Sequence, residues 1–511
     1  MPVPTTSAVV RTRAGAVRGT AEDGLAVFRG IPFAAPPVGA HRFQAPAPVA
    51  AWDGTREADV FGPPPPQSLG GPLPPVAAPT GTVVRHDPTD WLTLNVWTPD
   101  LGATGLPVMV WIYGGAYRFG SADSDLFDGA ALARTGVVVV TANHRVGVEG
   151  YAHLDGAPAN RAQLDQMATL GWVQEEIATF GGDPARVTVF GQSAGAGAVA
   201  ALMVMPAAEG LFAHAIAQSV PGTFFTPALA RDISAELVAP LGLEPTAAAL
   251  ADIPPERLIG ALAQLDRRMP TIDRWGRLAH SGTPFAPVVD GEVLSTDPWT
   301  GLAAGAAREV PLLVGHTRDE WRLFLGLGGQ LGTITDAMAT TAMQLSGPGP
   351  DPVARMRAAY PDAGPEELLV LTHSDRTFRM PSLHLATAHT AAGGRSYLYE
   401  LTWPAPAFGG AWGACHALDV PLVFGTLDRD LAAQLIGTPT PAEAREVSAQ
   451  MQTAWTEFAH NGRPGWPAHD DQHRWTRVFD TADRGGVQPY PEDTSRRLWA
   501  NIPTSVHDLP R

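Results

Sequence analysis

Ser193 stands at the centre of Gly191-Gln192-Ser193-Ala194-Gly195, after the strand-forming run Val187-Thr188-Val189-Phe190 and before an Ala-rich apolar segment that reaches Met205. A strand, then G-x-S-x-G, then a helix makes a turn sharp enough to lift the serine Oγ clear of a sheet. Glycines flank it because a side chain there would collide with the neighbouring strand and helix. Such a serine is a candidate nucleophile for acyl transfer. With 54 glycines in 511 residues, composition alone gives roughly 0.2 chance matches to this pattern, so a Gly-rich structural turn stays open as the bland alternative. A second pattern overlaps the first: Gly195-Ala196-Gly197-Ala198-Val199-Ala200 fits the dinucleotide fingerprint. That fingerprint needs an acidic residue about 20 positions on to hold a ribose. Gln218, Ser219 and Val220 occupy that place, so the dinucleotide alternative fails.

Acyl transfer also needs donors for an oxyanion, and a base oriented by an acid. The apolar run Val108–Ile112 ends in Tyr113-Gly114-Gly115-Ala116, a loop of small residues whose backbone can approach a carbonyl closely. The amides of Gly115, Ala116 and Ala194 would make a three-donor hole. Downstream, Val310–Val314 leads into Gly315-His316-Thr317-Arg318-Asp319-Glu320, and His416 lies in the Gly-rich stretch Gly413-Ala414-Cys415-His416. An acid just past a strand end can reach a shared site. With 15 histidines and 51 acids in the chain, spacing alone leaves the acid and the base open.

The elements that must position these residues are legible as short apolar runs, Val108–Ile112, Val137–Thr141, Val187–Phe190 and Val310–Val314, separated by longer helical patterns. Leu164–Phe180 is the clearest of these, closed by Gly181-Gly182. Strands alternating with helices predict an α/β fold with a mostly parallel sheet. Residues 62–88 read as a long Pro/Gly-rich loop. Residues 320–395 read as a helical, cap-like region interrupted by the Pro/Gly-rich stretch Gly347–Pro365. No repeat and no clean linker appears, so the chain is expected to form a single domain over residues 1–511.

Composition removes several function classes. The 35 basic and 51 acidic residues give a formal charge of −16, which disfavours nucleic acid, anionic membranes and strongly anionic substrates. Every basic residue is Arg; with no Lys there is neither a Walker lysine nor a Schiff base. The single Cys415 excludes an internal disulfide, and no metal-binding motif occurs, so neither a metal nor a cofactor is expected. The N-terminus has no apolar signal region, and apolar runs reach only strand length. A cytoplasmic protein without a membrane partner is expected.

The whole chain resembles the type-B carboxylesterases, the α/β-hydrolase family that includes bacterial para-nitrobenzyl esterases and cholinesterases. The similar blocks are FRGIPFAAPPVGAHRFQAPAPVAAW (28–52), LTLNVWTPD (92–100), NHRVGVEGY (143–151), the segment 160–196 around Ser193, PFAPVVDGEVL, GHTRDEWRLF and GACHALDVPLVFG. The resemblance implies the α/β-hydrolase fold, with Ser193 as nucleophile, Glu320 rather than Asp319 as triad acid, and His416 as base. It implies an oxyanion hole of Gly115, Ala116 and Ala194 next to Gly114, and a supporting role for Ser219. Two departures stand out. Gln192 replaces the usual Glu, and Pro65 and Trp91 replace the cysteines that usually close the loop between them. Residues 67–90 contain no Trp, Tyr or Phe, so the aromatic platform that holds choline esters is missing. Ser281, Gly282 and Thr283 stand where cholinesterases crowd the acyl pocket, although Phe285 remains. The expected substrate is a neutral, apolar ester with a short-to-medium acyl chain, cleaved through an acyl-enzyme by a monomer or weak homodimer. A carbamate, aryl-amide or polyester-fragment specialist is the alternative on the same scaffold, and a non-catalytic adhesion homologue the remote one.

Overall fold

The computed structural model describes residues 8–67 and 87–509. The centre of the 62–88 loop lies outside the described residues, as do the first seven residues of the N-terminus. Eleven strands form one sheet: β1 (Thr20–Glu22), β2 (Leu25–Pro32), β3 (Thr93–Thr98), β4 (Leu106–Ile112), β5 (Val138–Ala142), β6 (Gly182–Gln192), β7 (His214–Gln218), β8 (Leu312–Thr317), β9 (Ser396–Leu401), β10 (Trp475–Phe479) and β11 (Gly486–Pro489). Across the sheet they run β11-β10-β9-β8-β7-β6-β4-β5-β3-β2-β1. From β5 to β10 every neighbouring pair is parallel, and antiparallel pairing is confined to the two margins. This is the α/β-hydrolase arrangement, a large and mostly parallel sheet flanked by helices. A three-stranded sheet of Val9–Arg11, Ala16–Arg18 and Thr55–Glu57 stands apart from it.

The central strands are near-continuous apolar runs because helices cover both faces. All five residues of β5, VVVTA, are buried, as are all six of β8. Full burial of a Val or Leu side chain contributes about 1.5–3 kcal/mol, so these strands define the sheet's register. The predicted helix at Leu164–Phe180 is α1 (Arg161–Glu176), continued by a 3₁₀ turn to Phe180 and stopped by Gly181 at φ 88°. At the other end of α1, Arg145 clamps Asp165 through Nε at 2.8 Å and Nη2 at 2.7 Å, tying the segment after β5 to the helix. Residues 322–391 are mainly helical. The stretch Gly347–Pro365 differs from expectation, since it contains a helix at Pro352–Ala359. Proline at the first helical position needs no N–H partner and is preset for helical φ.

Parallel strands that share a direction bring their carboxyl ends to one edge, where open α/β sheets hold their sites. Ser193 follows β6, Gly114–Ala116 follow β4, and Glu320 lies three residues past β8. His416 arrives on the long connection between β9 and β10.

Candidate active site

Ser193 joins β6 to α2 (Ala194–Leu202) with φ 57° and ψ −126°, a conformation that costs a non-glycine residue about 1–3 kcal/mol. Sterics explain the flanking glycines. A Cβ on Gly191 would sit 2.7 Å from the Gly195 carbonyl carbon, and one on Gly195 would sit 2.0 Å from the Ile112 oxygen. The Ser193 N–H donates to the Gln218 carbonyl at 2.9 Å, which fixes the turn against β7.

Glu320 and His416, 96 residues apart in sequence, meet through Glu320 Oε2 and His416 Nδ1 at 2.5 Å. The other carboxylate oxygen, Oε1, accepts from Ser219 Oγ at 2.6 Å and from the Thr317 N–H at 2.9 Å. Glu320 is fully buried. Burial raises its pKa, but the charge and hydrogen bond of His416 and the Ser219 hydroxyl outweigh it and hold the carboxyl below its ordinary value. Asp319, the rival acid, does something else. Its N–H donates to the Ala414 carbonyl, and its Oδ2 accepts from the Ala414 N–H at 2.9 Å. It thereby shapes the loop that carries His416.

With Nδ1 donating to Glu320, a neutral His416 presents an unprotonated Nε2. Gln192 Nε2 lies 3.1 Å from it, so the amide donates to the lone pair that a serine proton would need. Ser193 Oγ makes no hydrogen bond among the described residues. Phe378 stacks on the His416 ring with centroids 4.2 Å apart, and Phe324 lies at 5.4 Å. Neither aromatic stood out in the sequence. Phe378 comes from the π-helical turn Asp375–Arg379, a local feature without a composition signal.

The loop after β4 holds Gly115, Ala116 and Tyr117 at φ 120°, 53° and 63°. Its turn is closed by the N–H groups of Arg118 and Phe119 on the Gly115 carbonyl. A Cβ on Gly115 would meet the Phe119 oxygen at 2.0 Å, and one on Gly114 would meet the Gln192 oxygen at 2.8 Å. Among the described residues, no backbone acceptor outside the helices and strands takes the N–H of Gly115, Ala116 or Ala194. Ala194 opens α2, where the first amides have no intrahelical partner.

Above Ser193 opens a cavity of about 1370 Å³ bordered by Gly114–Ala116, Ser281–Thr283, Trp91 and His416. Thr283 does more than border it: its Oγ1 donates to the Ala116 carbonyl at 2.9 Å, bracing the amide loop. Phe285, by contrast, is not part of the cavity wall. It is 2% exposed and packs in the core cluster with Tyr117 and Leu278, because the turn held by Ser281 and Thr283 directs it inward. Where the cysteines of the family loop are missing, Gln67 bridges to Gly120 in both directions, at 3.0 and 2.8 Å. Among the described residues no set of three His, Cys, Asp or Glu is arranged to hold a metal ion. No helix among them is long and apolar enough to cross a membrane.

Comparisons with known proteins converge. Residues 6–345 and 361–491 match the model of the carboxylesterase family. The para-nitrobenzyl esterase of Bacillus subtilis is 36% identical over 493 residues, covering 93% of this chain and 95% of its own. The fumonisin B1 esterase of Sphingopyxis macrogoltabida is 35% identical, covering 89% and 82%. The crystal structure of a Geobacillus stearothermophilus carboxylesterase superimposes with a TM-score of 0.82 at 34% identity, over 96% of this chain and 99% of that one.

Proposed function

The chain belongs to the carboxylesterase family and is a carboxylic ester hydrolase, and on that premise we propose that it works by two-step acyl transfer through Ser193. His416 takes the Ser193 proton as Oγ attacks the ester carbonyl, while Glu320 orients the ring and stabilises the imidazolium. The amides of Gly115, Ala116 and Ala194 hold the oxyanion, each of them worth about 100- to 1000-fold in rate. His416 then protonates the leaving alcohol and later activates water against the acyl-enzyme. No step draws on a cofactor.

One observation carries this reading: the buried chain Ser219–Glu320–His416 ends beside a strained serine and three adjacent amides. In the free enzyme Gln192 occupies His416 Nε2, so the Ser193–His416 contact forms only when the amide gives way on substrate binding. Hydrogen bonds at a working site often tighten only in the complex. The cavity volume supports acyl chains longer than acetyl. Its small residues Ser281, Gly282 and Thr283 support short-to-medium apolar acyl groups next to the serine.

Initial rates on p-nitrophenyl acetate, butyrate, octanoate and dodecanoate, for the wild type and Ser193→Ala, test both parts. A maximum at butyrate to octanoate that disappears in the variant is expected. Hydrolysis that survives in Ser193→Ala refutes the nucleophile.

A further inference from the structure

The cavity above Ser193 has a far end with a different character. From Ser219 the chain continues through Gly222 and Thr223 along one wall, and the C-terminal segment at Thr504 and His507 closes it. A Cβ on Gly222 would lie 2.8 Å from Pro381 and 3.1 Å from Thr504, so this wall is tightly packed. The His507 N–H, donating to Phe224 at 2.7 Å, holds the strap in place. Arg277, Arg376, His384 and His507 face this end.

Arg376 is preorganised. Its Nε donates to the Ser346 carbonyl at 3.0 Å, its Nη2 to the Gly347 carbonyl at 3.2 Å, and its guanidinium lies 4.3 Å over the Trp499 ring. Nη1 has no partner among the described residues. The side chain leaves the same π-helical turn that sets Phe378 on His416, so the cation and the ring stacked on His416 share one element.

Arg277 has no hydrogen bond or ion pair at all among the described residues. Arg267 shares that state, whereas others of the region are paired. Arg274 pairs with Asp232 at 2.9 Å and Glu236 at 2.5 Å, Arg268 with Glu236 at 3.1 Å, and Arg118 with Asp266. Two guanidiniums close enough to repel each other thus line the cavity, Arg277 exposed at its wall and Arg376 half-buried, and neither is paired with a carboxylate among the described residues. Burial, then the charge of Arg277, pushes the Arg376 pKa down to about 10. Burial, helped by these cations, brings His384 and His507 to about 4, so both are neutral hydrogen-bonding groups at pH 7. Like charges confined this way destabilise the empty protein, and an anion between them reverses the sign.

We propose that this end of the cavity is a carboxylate subsite, in which Arg277 and Nη1 of Arg376 bind a carboxylate carried by the ester substrate at a distance from its scissile bond. The proposal rests on the esterase reading and changes it in one respect. The apolar part of the substrate lies next to Ser193, and its remote end is anionic, against the field of the molecule as a whole. Guanidiniums suit this task because their planar forks match carboxylate oxygens.

The test compares kcat/KM for p-nitrophenyl hydrogen adipate with that for p-nitrophenyl hexanoate. The acidic-to-neutral ratio is expected to fall about tenfold in Arg277→Gln, to stay within threefold of wild type in Arg277→Lys, and to fall in wild type at 0.5 M NaCl. A second pair, the butyrates of 3-(hydroxymethyl)benzoate and of benzyl alcohol, places the anion on the alcohol side. The pair whose ratio responds shows which half of the ester carries the carboxylate. Calorimetric binding of monomethyl adipate and methyl hexanoate to Ser193→Ala, with and without Arg277→Gln, does not depend on turnover. Tighter binding of the acid, lost in Arg277→Gln, supports the subsite even if no ester is cleaved. Ratios and binding that ignore Arg277→Gln in a variant with the wild-type Tm overturn it.

Discussion

Ser219→Ala removes one hydroxyl and nothing else, and its consequences can be worked out from three hydrogen bonds. Glu320 has three donors: His416 on Oε2, and Ser219 and the Thr317 amide on Oε1. Ser219 and Glu320 are both fully buried, so water does not replace the lost donor. A hydrogen bond to a charged group contributes about 1.5–3 kcal/mol. Only the part that strengthens when His416 becomes an imidazolium affects the rate. If about half of it does, kcat/KM falls about four- to twelvefold, since about 1.4 kcal/mol is one decade. The remainder appears as stability. The Glu320 pKa is depressed in the folded protein, so its contribution is present above the unfolded carboxylate value and is lost as pH falls through the folded value. Removing Ser219 raises the folded value. The Tm deficit of the variant should therefore be largest near pH 7 and shrink toward pH 4. The assay is kcat and KM on p-nitrophenyl butyrate with Tm across that range, in a cycle with Glu320→Gln. If Ser219 acts through the carboxylate, adding Ser219→Ala to Glu320→Gln costs less than twofold. Fully additive losses, or a loss confined to KM, would refute the reasoning.

Three further outcomes follow from the same geometry. Gly195→Ala puts a Cβ 2.0 Å from the Ile112 oxygen, and neither backbone can move aside, so the variant should be recovered poorly folded or with a much lower Tm; wild-type Tm and activity would contradict the packing. Gln192→Leu removes the amide from His416 Nε2 and should speed labelling of Ser193 by a fluorophosphonate a few-fold, whereas a tenfold slowing would show that the amide holds the ring in its working position. Burial lowers His144 to about 3 and His316 to about 4, so their stability contribution is complete above the ordinary histidine value and is lost as pH falls toward 4. His373, His384 and His507, each at about 4, add to the loss, while Asp375 and Asp419, raised by burial to about 6, oppose it. Histidines outnumber aspartates, so Tm should be lower at pH 5 than at pH 7, and a flat profile in calorimetry would count against these burials.

The sequence shows those parts of the site whose chemistry imposes a local pattern. A serine on a tight turn needs small neighbours, and Gly191 and Gly195 supply them. An amide loop needs residues without bulk, and Gly114–Ala116 form it. The central strands were legible for a related reason, since burial on both faces leaves no choice but apolar runs. Choosing Glu320 over Asp319, and His416 from among fifteen histidines, took the family resemblance. The folded geometry then gives a physical reason for the division: one carboxylate points to the imidazole, and its neighbour fastens the loop beneath it. What stayed hidden depends on direction rather than type. Phe285 was expected at the pocket and turns into the core, while Phe378, which nothing in the sequence singles out, lies on His416, because a turn and a π-helical register decide where each ring goes. Gln192 and His416 are 224 residues apart, and no pattern around either one announces their contact. The arginines are the clearest case. Thirty-five cations in a row of letters look alike, and net charge averages them away. Only the fold reveals that Arg274 has two carboxylates while Arg277, three residues later, has none among the described residues. A charge left unpaired at the wall of a substrate cavity is a statement about the ligand, and it can be made only once the side chains around it have been located.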